Sequence, residues 1–259
     1  MGRIDEKFQE AKKAFIAFIV AGDPNRDTCL KIAKTIIDAG ADMLELGVPF
    51  SDPVADGPTI QKADERALKA GANLDMVLDI AREIRSYSNV PIILLIYYNL
   101  IQNVEKFYRD AHGLVDGVLI VDMPVEESEE VRKISKRYGI DQIFLVTQTT
   151  TEDRLKKIVS SASGFLYLVS VLGVTGARKK MSEAALDLIR HVRSHTDLPL
   201  AVGFGISRPE HVKEITTAGA DAAIVGSAIV NIIERNLHDE GAMMREIRDY
   251  IAEMSDATD

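Results

Sequence analysis

Short apolar runs alternate with amphipathic stretches from one end of the chain to the other. β-rich segments lie near Phe15 to Val20, Met43 to Leu46, Ile92 to Tyr97, Gly117 to Val121, Gln142 to Val146, Phe165 to Val169, Leu200 to Val202 and Ala223 to Val225. Between them apolar residues recur at helical spacing, as in Val77, Ile80, Ala81 and Ile84, in Leu155, Ile158, Val159 and Ala162, and in Ala185, Leu188, Ile189 and Val192. The strands are apolar on both faces, which a sheet needs when helices cover it. Eight such strand–helix units with no linker predict an α/β protein, a single (β/α)8 barrel over residues 1–259 rather than an open doubly wound sheet. The leading segment, with Ile4, Phe8 and Phe15, predicts an additional N-terminal helix capping the barrel's bottom, and Glu240 to Met254 a further helix at the C-terminus.

One polar residue breaks the apolar pattern. Glu45 sits between Met43, Leu44 and Leu46 inside a strand, and an ionised carboxylate buried without partners costs several kcal/mol. It must be paired, reached by solvent from a cleft, or protonated. The chain carries its own control: Asp38-Ala-Gly-Ala-Asp-Met-Leu-Glu-Leu-Gly47 recurs in outline as Thr217-Ala-Gly-Ala-Asp-Ala-Ala-Ile-Val-Gly226. Ile224 stands where Glu45 stands, so an apolar residue satisfies the fold there and Glu45 points to function over a structural ion pair. Barrel enzymes place their chemistry at the C-terminal ends of the strands, where Glu45 lies. The Gly/Pro/Asp-rich loop after it adds Asp52 and Asp56; Asp56-Gly57 on its own reads equally well as a turn. The loop Gly173-Val-Thr-Gly-Ala-Arg-Lys-Lys180 is polar and glycine-bearing, as lids often are.

Composition narrows the classes. The 259 residues carry a net charge of −9 and are 46% hydrophobic. No basic stripe interleaved with aromatics is present, which disfavours nucleic-acid binding. The single cysteine, Cys29, falls on the apolar side of a helical pattern and reads as core. The five histidines are scattered without metal-ligand spacing, so no metal site is expected. The charged N-terminus lacks the apolar region of a signal peptide and the longest apolar run, Pro91 to Tyr98, is too short to span a bilayer; a cytoplasmic location is expected.

The last quarter suggests an anion. Gly203-Phe-Gly-Ile-Ser207 and Gly226-Ser227 are glycine turns that open onto helix N-termini, with Ser207 and Glu210 spaced as a capping box. Free N–H groups and the positive helix end bind phosphate, and the loops after strands seven and eight are where barrel enzymes commonly hold one.

Taken together, Leu44-Glu-Leu-Gly-Val-Pro-Phe-Ser-Asp-Pro-Val-Ala-Asp-Gly-Pro58, Phe18-Ile-Val-Ala-Gly-Asp-Pro24, Val121-Asp-Met-Pro-Val-Glu-Glu127, Gly173-Val-Thr-Gly176 and the two phosphate loops resemble the tryptophan synthase alpha-subunit family over almost the whole chain. The resemblance implies cleavage of indole-3-glycerol phosphate to indole and glyceraldehyde 3-phosphate. By motif position it makes Glu45 and Asp56 the catalytic acids, Tyr167 an active-site neighbour and Thr175 the lid residue that meets Asp56. Gly176, Phe204, Gly205, Gly226 and Ser227 would hold phosphate and Phe18 would line the indole pocket. It implies a pyridoxal-phosphate beta subunit as partner in an alpha2beta2 heterotetramer, with Asp52 and Pro53 in the partner-facing loop and no cofactor in this chain. Two departures, Val146-Thr-Gln-Thr-Thr150 and Val171-Leu172, bear on lid and partner coupling rather than on chemistry. Two other readings remain open here: a different phosphate-binding barrel isomerase or lyase, and a non-catalytic alpha-like regulatory subunit.

Overall fold

The structure, a computed structural model, describes residues 2–11, 13–169, 181–203 and 205–258. Eight parallel strands close into a barrel in sequence order, β1 pairing with β8. After helix α1 (Arg3–Glu10) the chain runs β1 (Ala14–Val20), α2 (Arg26–Asp38), β2 (Met43–Gly47), α3 (Pro58–Lys69), α4 (Leu74–Tyr87), β3 (Ile92–Ile96), α5 (Val104–Ala111) and β4 (Gly117–Ile120). It continues through α6 (Glu129–Arg137), β5 (Asp141–Thr147), α7 (Glu152–Ser161), β6 (Leu166–Val169), α8 (Glu183–Arg193), β7 (Leu200–Gly203), α9 (Pro209–Thr217), β8 (Ala222–Val225), α10 (Ser227–Arg235) and α11 (Glu240–Ser255). Every expected strand is present, displaced by at most a residue or so at its ends.

Strand alternation splits the apolar residues into two cores. Outward residues such as Phe15, Ala17, Ile19, Leu44 and Leu46 pack beneath the helices, together with Cys29, whose Sγ accepts the Gly22 N–H at 3.2 Å. Inward residues, among them Ile16, Phe18, Met43, Ile93, Leu119, Ile143, Tyr167, Ala201 and Ile224, fill the barrel. Ile224 thus occupies an interior place of the kind Glu45 holds in β2, between Phe18 of β1 and Ile93 of β3 in the register. The two sequence repeats also match in shape. Gly40 and Gly219 adopt φ of +104° and +112°, a left-handed conformation that glycine reaches without steric cost.

The extra N-terminal helix closes the bottom of the barrel. Ile4 is fully buried, with its Cδ1 in the space that a side chain on Gly117 would need, and Phe8 meets Phe165 edge-on at 6.0 Å. Phe15 does not belong to that plug; it faces outward from β1, because the strand begins at Ala14 and its alternate residues point away from the interior. Helix α11 lies against α2, where Thr28 and Lys31 bond Glu240 and the Thr35 hydroxyl contacts Met244. No described helix is long and apolar enough to cross a membrane.

Candidate active site

Glu45 is 1% exposed, and neither carboxylate oxygen has a hydrogen-bond partner among the described residues. Burial, reinforced by the charge of Asp56, pushes its pKa up to about 8. Of the three outcomes open to a carboxylate in a strand, the structure selects the protonated acid at neutral pH. That leaves Glu45 with a proton to give and nothing in the described protein bonded to it.

Asp56 reaches the same mouth from the β2–α3 loop. Its Oδ2 accepts the Tyr97 hydroxyl at 2.8 Å, and that Tyr97 oxygen accepts the Ala55 N–H at 3.0 Å. Phe50 stacks on the Tyr97 ring, with centroids 4.8 Å apart, and Gln61 donates to the Asp56 carbonyl at 2.8 Å. The carboxyl pKa is raised by burial against the opposing pull of the tyrosine hydrogen bond. Asp56 is therefore held in place and no plain turn residue.

A third acid went unnoticed in the sequence. Asp64, 5% exposed on α3, has its pKa raised to about 8 by burial, by the charges of Asp56 and, less, Asp23, and against a hydrogen bond from the Phe50 backbone. It interrupts the apolar stripe Ile60, Ala63 and Ala67 as Glu45 interrupts its strand, a signal that was there to read. Tyr97, by contrast, ends an unbroken apolar run, and nothing local marks its hydroxyl as the group that holds Asp56. Arg66, also on α3, is committed to Asp23 through two bonds of 2.7 and 2.8 Å.

The aromatic wall is shaped by glycines. A Cβ on Gly47 or Gly226 would come within 2.7 or 2.8 Å of the Phe18 ring, so both glycines make room for that ring at the mouth. The phenol of Tyr167 lies where a side chain on Gly203 would stand, and burial with the charges of Glu45 and Asp56 raises its pKa. Gly226 thus has a packing role beside the phosphate role expected of it. Gly205 has φ +74° and no atom near its missing side chain, so its backbone faces open space. The capping box does not form: Arg208 is the N-cap of α9, and the Ser207 N–H donates to His211 Nδ1 at 3.3 Å. Proline at the first helical position moves the helix start one residue on. Neither α9 nor α10 has a side chain capping its N-terminus, which leaves backbone donors at both. Phe204, Thr175 and Gly176 lie outside the described residues.

In the β2–α3 loop Asp52 is exposed, Pro53 half-buried and Val54 87% exposed, an apolar tip turned to solvent. The closed barrel, the buried acid with a ready proton at the C-terminal end of its strands and the second acid on the adjoining loop define a (β/α)8-barrel enzyme of acid–base chemistry. The family model described as tryptophan synthase alpha chain matches residues 4–259, and the chain belongs to that family. The tryptophan synthase alpha chain of Methanoregula boonei is 57% identical over 263 residues, covering 100% of this chain and 99% of that one. That of Methanothermobacter thermautotrophicus is 49% identical, covering 91% and 88%. The crystal structure of the tryptophan synthase alpha subunit from Legionella pneumophila superposes with a TM-score of 0.91 at 33% identity, covering 100% of this chain and 98% of its own. A chain of the tryptophan synthase complex from Pyrococcus furiosus does so with 0.86 at 36%, covering 94% and 98%.

Proposed function

We propose that Glu45 and Asp56 carry the retro-aldol cleavage of indole-3-glycerol phosphate, the lyase reaction of this family. The observation that carries the reading is a buried Glu45 at the mouth of the barrel, without a hydrogen-bond partner among the described residues, its pKa raised to about 8 by burial and by a second carboxylate beside it. The indole carbanion is too poor a leaving group to depart until C3 is protonated. Glu45, on a rigid strand and protonated near neutrality, donates to C3; Asp56 accepts a hydrogen bond from the indole N–H and balances the positive charge that protonation creates there. Glu45, now a carboxylate, takes the proton of the glycerol hydroxyl next to the ring. The C–C bond then breaks, its electron pair returns to the ring, and the hydroxyl carbon leaves as the aldehyde of glyceraldehyde 3-phosphate. Each proton given is regained, so the acid ends as it began.

Phe18 and Tyr167 form the aromatic walls of the indole pocket. The backbone donors at the starts of α9 and α10, with Gly205 and Ser227, hold phosphate, and Thr175, Gly176 and Phe204 are assigned to the same pocket by motif alone. No step calls for a cofactor in this chain; pyridoxal phosphate belongs to the beta subunit that consumes the indole. Asp52 and Pro53 lie in the loop that motif position offers to that subunit, with Val54 exposed beside them. The chain is read as one domain, and the buried, free Cys29 thiol suits the reducing cytoplasm.

The test is indole release by purified chain from indole-3-glycerol phosphate, with Glu45→Gln alongside. The amide keeps the shape but has no proton to shuttle, so turnover should fall by roughly 10² to 10⁴ while substrate still binds. Activity within tenfold of the parent would remove Glu45 from the chemistry.

A further inference from the structure

We propose that Glu152, His191 and His195 form a surface site for a divalent first-row transition ion, zinc above all, that ties α7 to α8. The two histidines stand one helical turn apart at the end of α8, a spacing the sequence reading passed over, and packing brings Glu152 from the first turn of α7 to meet them. His191 Nε2 lies 2.9 Å from one Glu152 oxygen and His195 Nε2 lies 3.0 Å from the other. All three candidate ligand atoms fall within 4.8 Å of one another, and the imidazole centroids are 4.8 Å apart.

The hydrogen bonding around His195 is what asks for a cation. Its Nδ1 is 2.9 Å from the His191 carbonyl and 3.1 Å from the Ser194 hydroxyl, which itself donates to that carbonyl at 2.7 Å, an arrangement that a hydrogen on Nδ1 satisfies. In the neutral ring Nε2 is then a bare lone pair facing a carboxylate oxygen, itself only an acceptor. A metal ion placed between the two groups, 3.0 Å apart, would take a lone pair from each. The carbonyl at Nδ1 is the kind of outer partner that metal-bound histidines use. The carbonyl end of α8 adds a favourable negative potential.

A tetrahedral zinc site has ligand atoms about 3.3 Å apart, given bond lengths near 2.0–2.1 Å. The two nitrogen–oxygen contacts are already close to that. Drawing the nitrogens together needs only side-chain rotation, which these partly exposed residues can make. Two imidazoles and one carboxylate suit zinc, nickel or copper and not magnesium or calcium, which prefer all-oxygen shells. Three protein ligands leave a fourth place for water.

The experiment uses untagged, chelator-stripped full-length chain. Calorimetric titration with zinc chloride should show one ion per chain, and cobalt(II) should give the visible bands of a tetrahedral centre. Saturating zinc, about a hundredfold above its Kd, should raise Tm by roughly 5–10 °C, because the ion binds the folded chain alone. His191→Gln, His195→Gln and Glu152→Gln should each weaken zinc binding by about tenfold or more, since each removes one ligand. Circular dichroism and metal-free indole release should match the parent, because none of the three lies in the active site. Absence of stoichiometric zinc binding, or a His191→Gln/His195→Gln double variant that binds zinc as tightly as the parent, would overturn the site.

Discussion

The two ends of the barrel use their carboxylates differently. At the bottom, three aspartates immediately precede strands and each is neutralised. Asp116 bonds Arg85 at 2.6 Å, Arg3 at 2.9 Å and the Ile92 N–H at 2.8 Å. Asp221 bonds Arg193 at 2.7 Å, Lys13 at 3.2 Å and the Leu200 N–H at 3.0 Å. Asp42 accepts the Phe15 N–H at 2.9 Å with Lys7 at 3.7 Å. At the mouth Asp23 is paired with Arg66, whereas Glu45, Asp56 and Asp64 are raised by burial, and no described cation figures among the groups that shift them. The paired aspartates at the bottom clamp one strand to the next; Glu45 and Asp64 at the mouth keep their protons up to about pH 8. A charge that is paired stabilises, whereas an acid kept unpaired retains reactivity at a cost in stability.

Mutating one acid at each end separates the two roles by their effect on stability. Asp116→Asn strands two guanidinium groups, one of them on the largely buried Arg85, and should cost about 3–5 kcal/mol, lowering Tm by roughly 10 °C. Glu45→Gln should do the reverse at pH 9, stabilising by about 1–2 kcal/mol, because it removes a charge from an apolar site while destroying turnover. Thermal melts of both variants at that pH decide it. A destabilised Glu45→Gln would mean that the carboxylate has a structural partner after all.

The pH dependence is the next effect in size. Glu45 and Asp64 hold protons up to about pH 8 in the folded chain, but release them near 4.5 and 3.8 when unfolded. Between those limits the unfolded chain binds fewer protons, so their contribution to stability falls as pH rises and levels off above about 8. Melts from pH 5 to 9 should show that decline, and the Glu45→Gln/Asp64→Asn variant should flatten it. Turnover should fall above about pH 8 as Glu45 loses its proton. An unchanged slope in the double variant would place the titration elsewhere.

A smaller effect is expected from the group that holds Asp56. Tyr97→Phe removes one hydrogen bond to a charged acceptor, worth about 1.5–3 kcal/mol, and leaves the ring stacked on Phe50. Indole formation should drop by roughly ten- to a hundredfold, mainly in kcat, with at most a few degrees lost in Tm. A loss confined to KM would show that Tyr97 shapes the pocket and does not position Asp56.

Much of this was legible along the chain because it is local chemistry. The alternation of apolar runs and amphipathic stretches sets strand and helix, and eight such units leave a closed barrel as the economical way to bury both strand faces. Glu45 announces itself by being charged where Ile224 shows that the fold wants an apolar side chain. Asp64 could have been found by the same test on α3. Other features depend on residues far apart in sequence, and only tertiary structure decided them. Tyr97 meets Asp56 because β3 closes beside β2, and Phe18 fits because Gly47 and Gly226 flank it from two neighbouring strands. The His195 Nδ1 meets a local carbonyl, yet the carboxylate facing its Nε2 comes from another helix. Periodicity and residue type are properties of a segment, and hydrogen bonds and pKa shifts are properties of a neighbourhood. The chain's pattern therefore marks the barrel and singles out Glu45 as an acid out of place in its strand, while closure of the barrel sets which side chains surround it and raises its pKa.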